Sequence, residues 1–143
     1  MARSPGVCRI FEVMIKKRNC QLLVSIVILV PIALCYGILP DIALPGIFHF
    51  RLDTVDIRSV FRATMGLYLG VVAILVIGVA KPRFWATATL TNVCFFGGLA
   101  FGRLLSLVFD GVPSMVFLLG LVAEFGLTLW GLSNLKKYGG WRG

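Results

Sequence analysis

Long apolar runs alternate with short polar segments along this chain, and the runs have the length of membrane spans. Four of them are bounded by charged or turn-forming residues, at 20–39, 60–80, 84–109 and 113–133. At ~1.5 Å per residue each run forms a helix of roughly 30 Å or more, which matches the hydrocarbon core of a bilayer. The pattern predicts an all-α integral membrane protein with four transmembrane helices in an antiparallel bundle.

Helix-boundary residues support these spans. Asp53 can cap the second helix, and Asp56 then places a carboxylate in the first turn. Gly111 followed by Pro113 is typical of one helix ending and the next beginning. Pro31 is expected to kink the first span near its middle, because proline removes a backbone donor and clashes with the preceding turn.

The first span is predicted to remain uncleaved. Basic residues precede it, as in a signal peptide, but its apolar stretch exceeds the usual ~7–15 residues and no A-x-A site follows it. The chain then divides into a basic tail at 1–19, a membrane domain at 20–133 and a second basic tail at 134–143. The one sizeable loop lies at 40–59 and is expected outside the membrane.

Composition and charge agree with this picture. Of 143 residues, 59% are hydrophobic and 14% charged, which is too apolar for a soluble globular domain. The net charge of +8 comes from basic residues gathered in the two tails and between the second and third spans. Because cytoplasmic segments are enriched in Lys and Arg, both termini are predicted to be cytoplasmic and to contact anionic head groups. No nucleic-acid partner is expected.

Residues that bind metals or cofactors are sparse. The four cysteines form no C-x-x-C pair, so thiol redox chemistry and a zinc ribbon are not expected. His49 is the only histidine, which rules out a histidine metal cluster and a haem held by two histidines of this chain. No phosphate-binding loop, nucleophile elbow or H-E-x-x-H motif occurs. We therefore predict no cofactor, no metal and no catalytic residue.

Three ionisable residues, Arg62, Arg103 and Glu124, fall inside the predicted spans. An Arg at a helix centre costs ~2.5–3.5 kcal/mol on insertion scales, so such residues pair with one another or line a wet cavity. Their depths predict one polar cluster with Asp110 in the outer leaflet, in which Glu124 pairs with Arg103 or Arg62. The cluster is either a binding site or proton path open to the outside, or an ion-pair network that fixes helix register.

Asn92 is a further polar residue near mid-depth in the third span. It shares a helix face with Arg103 by three- and four-residue spacing. It could contact a ligand, but a hydrogen bond across a helix interface is the commoner use of such a residue.

Small residues mark the expected packing faces. Gly66 and Gly70 form one G-x-x-x-G motif, and Gly98 and Gly102 form a second. Arg62 shares a helix face with Gly66 and Gly70, and Gly120 shares a stripe of the fourth helix with Glu124. The charged residues are therefore expected to point inward. Glycines at this spacing let helix backbones approach closely, either within the bundle or between two chains.

A set of short motifs in the last three helices adds a resemblance. They are Arg62-Ala63-Thr64-Met65-Gly66, Gly102-Arg103, Asp110-Gly111-Val112-Pro113 and Glu124. Over about 20–133 the chain resembles a family of small bacterial four-helix membrane proteins known only as a domain of unknown function. It is more loosely similar to DoxX-like four-helix proteins. The resemblance implies a four-helix bundle in a bacterial inner membrane, and it implies no activity.

Three functions remain open. The small size, short loops and small-residue stripes favour a non-enzymatic accessory or assembly subunit, whose partner is another membrane protein or a second copy. The alternative is a binding or carrier protein for a lipid, quinone or other small apolar molecule. Its polar end would lie at the outer-leaflet cluster, and its apolar part against Phe95, Phe96, Leu99 and Phe101. A membrane enzyme using Glu124 as acid–base and Arg103 as electrophilic partner is the least favoured.

Overall fold

The computed structural model describes residues 17–38 and 54–139 of the chain. The N-terminal tail before them, residues 39–53 with His49 and Asp53, and residues 140–143 lie outside the described part. Four long helices fill the described ranges: α1 (Cys20–Gly37), α2 (Val55–Ala80), α3 (Trp85–Phe109) and α4 (Met115–Tyr138). These ranges contain no strand, and each helix is long and apolar enough to cross a membrane. The protein is therefore an all-α, multi-pass membrane protein.

Two helices extend beyond the predicted apolar runs, α2 at its start and α4 at its end. At the start of α2, the hydroxyl of Thr54 accepts a hydrogen bond from the backbone N–H of Ile57 at 3.3 Å. Thr54, rather than Asp53, therefore occupies the cap position, and Asp56 lies in the first turn as expected. At the other end of the chain, α4 runs on to Tyr138, with two lysines in its last turn. Cations there interact favourably with the helix dipole.

The four helices pack as two close pairs. α1 packs chiefly against α2, and α3 chiefly against α4, while the contact of α2 with α3 joins the pairs. The core takes apolar side chains from all four helices, namely Leu22, Leu29, Ala33, Tyr68, Val71, Val72, Leu75, Val79, Trp85, Ala88, Phe96 and Leu127. Many large apolar side chains remain on the outside. Lipid tails are as apolar as these side chains, so their exposure is expected.

Two close contacts between helices depend on glycines outside the G-x-x-x-G motifs. A Cβ added at Gly37 would collide with Met65, so this glycine lets the end of α1 lie against α2. A Cβ added at Gly78 would collide with the Cβ of Ala88, so α2 and α3 touch beside the 3-10 turn that links them. At both places the two helices can approach closely because glycine has no Cβ.

The two G-x-x-x-G motifs do not pack helices within the described chain, which corrects the expectation that they build the bundle. Gly66, Gly70, Gly98 and Gly102 are all exposed, and an added Cβ at each would meet nothing within 4 Å. The reason is angular. Gly66 and Gly70 each lie two residues from buried Tyr68, or roughly 200° around an α-helix. The second motif flanks a buried alanine at position 100 in the same way.

Candidate functional site

A buried ion pair joins α3 to α4. The Nε–H of Arg103 donates a hydrogen bond to Oε1 of Glu124 at 2.9 Å. The side chain of Glu124 is 8% exposed and that of Arg103 is 26% exposed, so the carboxylate is the more enclosed partner. Of the two partners that the sequence left open for Glu124, the structure selects Arg103.

Neighbouring side chains hold the arginine of this pair in place. Its guanidinium carbon lies 5.1 Å from the ring centre of Phe117, a cation–π distance. A Cβ added at Gly120 would come within 3.8 Å of the same guanidinium, an ordinary van der Waals distance, so position 120 lies beside the head group. One turn further along α4, the Thr128 hydroxyl donates to the backbone oxygen of Glu124 at 2.7 Å. One face of α4 thus carries Glu124 and the residues that lie next to Arg103.

The second carboxylate oxygen of Glu124 is left without a partner. Oε2 is buried and accepts no hydrogen bond from any residue that the structure describes. An ionised carboxylate can accept at both oxygens, and leaving a buried acceptor unsatisfied costs ~1–3 kcal/mol. The site therefore offers one free acceptor inside the bundle, suited to a hydroxyl or N–H donor.

Aromatic side chains from three helices form a chain of ring contacts inside the bundle. We call Tyr36, Tyr68, Phe95 and Phe96 the aromatic wall. Their rings meet edge to face in sequence, with centroid separations of 5.8, 4.9 and 5.6 Å. The wall joins α1, α2 and α3 through these edge-to-face contacts.

The sequence indicated two of the four residues of this wall. Phe95 and Phe96 are intramembrane aromatics one step apart on α3, whereas Tyr36 and Tyr68 lie on different helices and share no motif with them. Phe101, which an apolar lining would be expected to include, is 62% exposed and points away from the core. A tyrosine inside an apolar run was the available signal, because its hydroxyl requires a polar neighbour when buried.

The structure brings together two of the four residues of the expected outer-leaflet cluster. Arg62 is exposed and lies on the same outward stripe of α2 as Gly66 and Gly70. Asp110 is exposed at the C-terminal cap of α3, where its backbone N–H donates to the carbonyl of Ser106. Neither residue joins the buried pair. Arg62 is too far around its helix, and Asp110 lies beyond the end of α3.

A second polar cluster, which we call the amide layer, ties α1 to α3 and α4. The Asn92 amide donates to Oγ of Ser25 at 2.9 Å, and the serine hydroxyl donates to the backbone oxygen of Gln21 at 3.0 Å. The Gln21 amide in turn donates to the backbone oxygen of Leu127 at 3.4 Å. All three side chains are buried. Asn92 thus hydrogen-bonds across helices, and Gln21 and Ser25 are partners that sequence analysis missed.

The groups that could hold a metal are scattered. Among the described residues, no three His, Cys, Asp or Glu side chains come together in a metal-binding arrangement. Cys20, Cys35 and Cys94 are free thiols. The Arg103–Glu124 pair offers hydrogen bonding and charge, with one buried carboxylate oxygen that has no partner among the described residues.

Four membrane-length helices enclosing an arginine–glutamate pair define a small helical-bundle membrane protein. A family model described as Domain of unknown function (DUF4345) matches residues 19–134, which include nearly all of the four helices. The chain belongs to this family. This confirms the resemblance to an uncharacterised family, while the looser similarity to DoxX-like proteins stays a prediction. No curated protein and no solved structure matches the chain.

Proposed function

We propose that this protein is a non-enzymatic binding or carrier protein for a small, largely apolar molecule with one polar end. The observation that carries the proposal is Oε2 of Glu124, which is buried and has no hydrogen-bond partner among the described residues. Membrane proteins keep ionisable groups inside a bundle mainly where those groups pair or serve a site. Here one oxygen is paired and the other is free.

The neighbours of that oxygen define the chemistry of the ligand. A hydroxyl or N–H on the ligand would donate to Oε2, and a carbonyl beside it could accept from the guanidinium of Arg103. The ring of Phe117, which lies against the guanidinium of Arg103, would pack against a ring or an acyl chain. A lipid, a quinol or another amphipathic molecule combines these features, and a purely apolar molecule does not.

A second candidate function is an accessory or assembly subunit of a larger membrane complex. Its support is the exposed position of Gly66, Gly70, Gly98 and Gly102, with open space above each one. Glycines at this spacing are common where transmembrane helices meet closely. The partner would be a helix of another membrane protein or of a second copy of this chain.

Native mass spectrometry of the tagged chain, taken from its own membranes in mild detergent, tests both functions at once. We expect a chain that carries one reproducible small molecule. Because a charge-assisted hydrogen bond contributes ~1.5–3 kcal/mol, Glu124→Gln and Arg103→Ala should each lower its occupancy by about tenfold or more. Ser133→Ala, which alters an exposed hydroxyl bonded only to its own helix, is the control and should retain the molecule.

Two outcomes would contradict the binding proposal. Unchanged occupancy in folded Glu124→Gln and Arg103→Ala would show that the pair does not hold the molecule. A defined partner chain, with no small molecule present, would favour the accessory subunit instead.

We further propose an antiparallel bundle in a bacterial inner membrane, with both termini in the cytoplasm. The link at 110–114 reaches at most ~17 Å when extended, too short to recross a bilayer, so α3 and α4 run in opposite directions. The indole N–H of Trp85 donates to the backbone oxygen of Arg18 at 3.2 Å, so the start of α1 lies beside the start of α3. Lys81 and Arg83 lie at this same end and favour a cytoplasmic location.

Reporter fusions test this orientation. A reporter that is active only in the cytoplasm should work when fused after Gly143, and one that is active only outside should work when inserted after Gly111. Positive charge on the inner loops is the physical basis of the expected pattern. The opposite pattern at both sites would overturn the proposal.

A further inference from the structure

A groove with a basic end runs between the last turns of α2 and the first turns of α3. Its volume is about 460 Å³. Ile74 and Ile77 of α2 and Thr91 of α3 line its length, and Lys81 and Arg83 lie where α2 passes into the 3-10 turn. Ile74 is seven residues from Lys81, so the apolar part is roughly 10 Å long. The groove is thus apolar along the helices and cationic at one end.

We propose that this groove binds one anionic phospholipid, with its phosphate at Lys81 and Arg83 and one acyl chain along Ile74 and Ile77. Basic pockets beside transmembrane helices are suited to anionic head groups, and a guanidinium can donate two parallel hydrogen bonds to phosphate oxygens. Among the described residues, those that line the groove include two cations and no carboxylate. A zwitterionic lipid would satisfy the shape of the groove but not its charge.

The arginine at the mouth of the groove is already held by a neighbour. The guanidinium carbon of Arg83 lies 4.4 Å from the ring centre of Phe84, and that ring also lines the groove. Stacking on the ring limits the positions that the long side chain can adopt, so less freedom is lost when phosphate binds. Both cations also sit at the ends of membrane-length helices, the depth at which phosphates of a bilayer lie.

This groove is separate from the Arg103–Glu124 pair. Arg103 follows Arg83 by twenty residues, which corresponds to roughly 30 Å along the helix. The two sites therefore lie near opposite faces of the membrane. Substitutions at one should leave ligand occupancy at the other unchanged.

The test is a lipid titration of the full-length chain in mild detergent, followed by native mass spectrometry. The probes are phosphatidylglycerol and phosphatidylcholine with identical acyl chains. We expect one molecule of phosphatidylglycerol to bind at least about tenfold more tightly than phosphatidylcholine. The double variant Lys81→Gln/Arg83→Gln should lose this preference, by roughly 10- to 30-fold, since each cation near a membrane surface contributes ~1 kcal/mol.

Charge and shape are separated by further variants. Lys17→Gln/Lys137→Gln removes two exposed cations that do not line the groove and should retain the preference. Thr91→Phe fills the groove without changing charge and should release the lipid. Ile77→Trp fills it from α2 and replaces Thr91→Phe if that variant does not fold, as judged by helical circular dichroism and a single elution peak.

Three results would each overturn the proposal. The wild-type chain could bind the two lipids equally. The two double variants could weaken phosphatidylglycerol equally, which would indicate a general charge effect. A folded variant with a filled groove could keep the lipid, which would place the lipid elsewhere.

Discussion

Replacing Glu124 with leucine is expected to lower the free energy of unfolding by about 2–4 kcal/mol, one of the largest effects of any single substitution in this protein. The change leaves the guanidinium of Arg103 inside the bundle without its carboxylate. Removing one partner of a fully buried pair costs ~3–5 kcal/mol. The expected value is somewhat smaller because Arg103 keeps 26% exposure and can partly reach a polar environment.

A double-mutant cycle identifies the cause of this loss. Glu124→Leu, Arg103→Leu and the double variant are unfolded reversibly in mixed micelles by raising the fraction of sodium dodecyl sulfate. Because the double variant contains no stranded charge, it should be more stable than Glu124→Leu alone. Arg62→Leu serves as the control, since this arginine is exposed and lies outside the pair. Strictly additive single effects would contradict a direct coupling between Arg103 and Glu124.

Replacing Gly78 with alanine is expected to destabilise the bundle by about 1–3 kcal/mol, as overpacking of a tight contact generally does. The added methyl group would meet the Cβ of Ala88, which is fixed to its own backbone and cannot rotate away. The helices α2 and α3 would therefore have to separate beside their shared turn. This effect opposes the ordinary gain in helix propensity of ~1 kcal/mol when glycine becomes alanine.

The matched control is Gly70→Ala, in the same helix and in a recognisable motif. An added Cβ there meets nothing within 4 Å, so this variant should be neutral or slightly more stable than wild type. Ala88→Gly in the Gly78→Ala background should restore stability, because it removes the opposing methyl group. The same micelle unfolding assay measures all three. Equal losses of stability in Gly70→Ala and Gly78→Ala would contradict a tight contact between Gly78 and Ala88.

The failure of the G-x-x-x-G motifs as internal contacts has a general physical basis. Spacing determines which residues share a stripe of a helix, but not which neighbour that stripe faces. Gly66 and Gly70 share a stripe with Arg62, and this shared stripe suggested that all three pointed inward. Buried Tyr68 on the opposite side of α2 determines the orientation instead, and the stripe faces outward. Whether a partner helix covers it stays a prediction of the accessory-subunit hypothesis.

The ion pair illustrates the same division. The sequence places three ionisable residues at membrane depth, and a carboxylate at that depth requires a partner. Depth along the helices allowed either arginine. The choice of Arg103 follows from the close packing of α3 on α4. The sequence did not reveal the amide layer, because Gln21 and Ser25 stand near the start of an apolar run. Ser25 meets Asn92 only when α1 lies against α3, and Gln21 meets Leu127 only when α1 lies against α4.

Four membrane-length helices and the polar residues within them could be predicted from the amino-acid sequence alone. Those properties depend on local hydropathy, on helix rise per residue and on the thickness of a bilayer. The packed bundle was needed to show which polar groups meet, which glycines allow close packing and which oxygen of Glu124 has no hydrogen-bond partner among the described residues. Those outcomes depend on the rotation of each helix about its axis, which is set by side-chain packing among all four helices together.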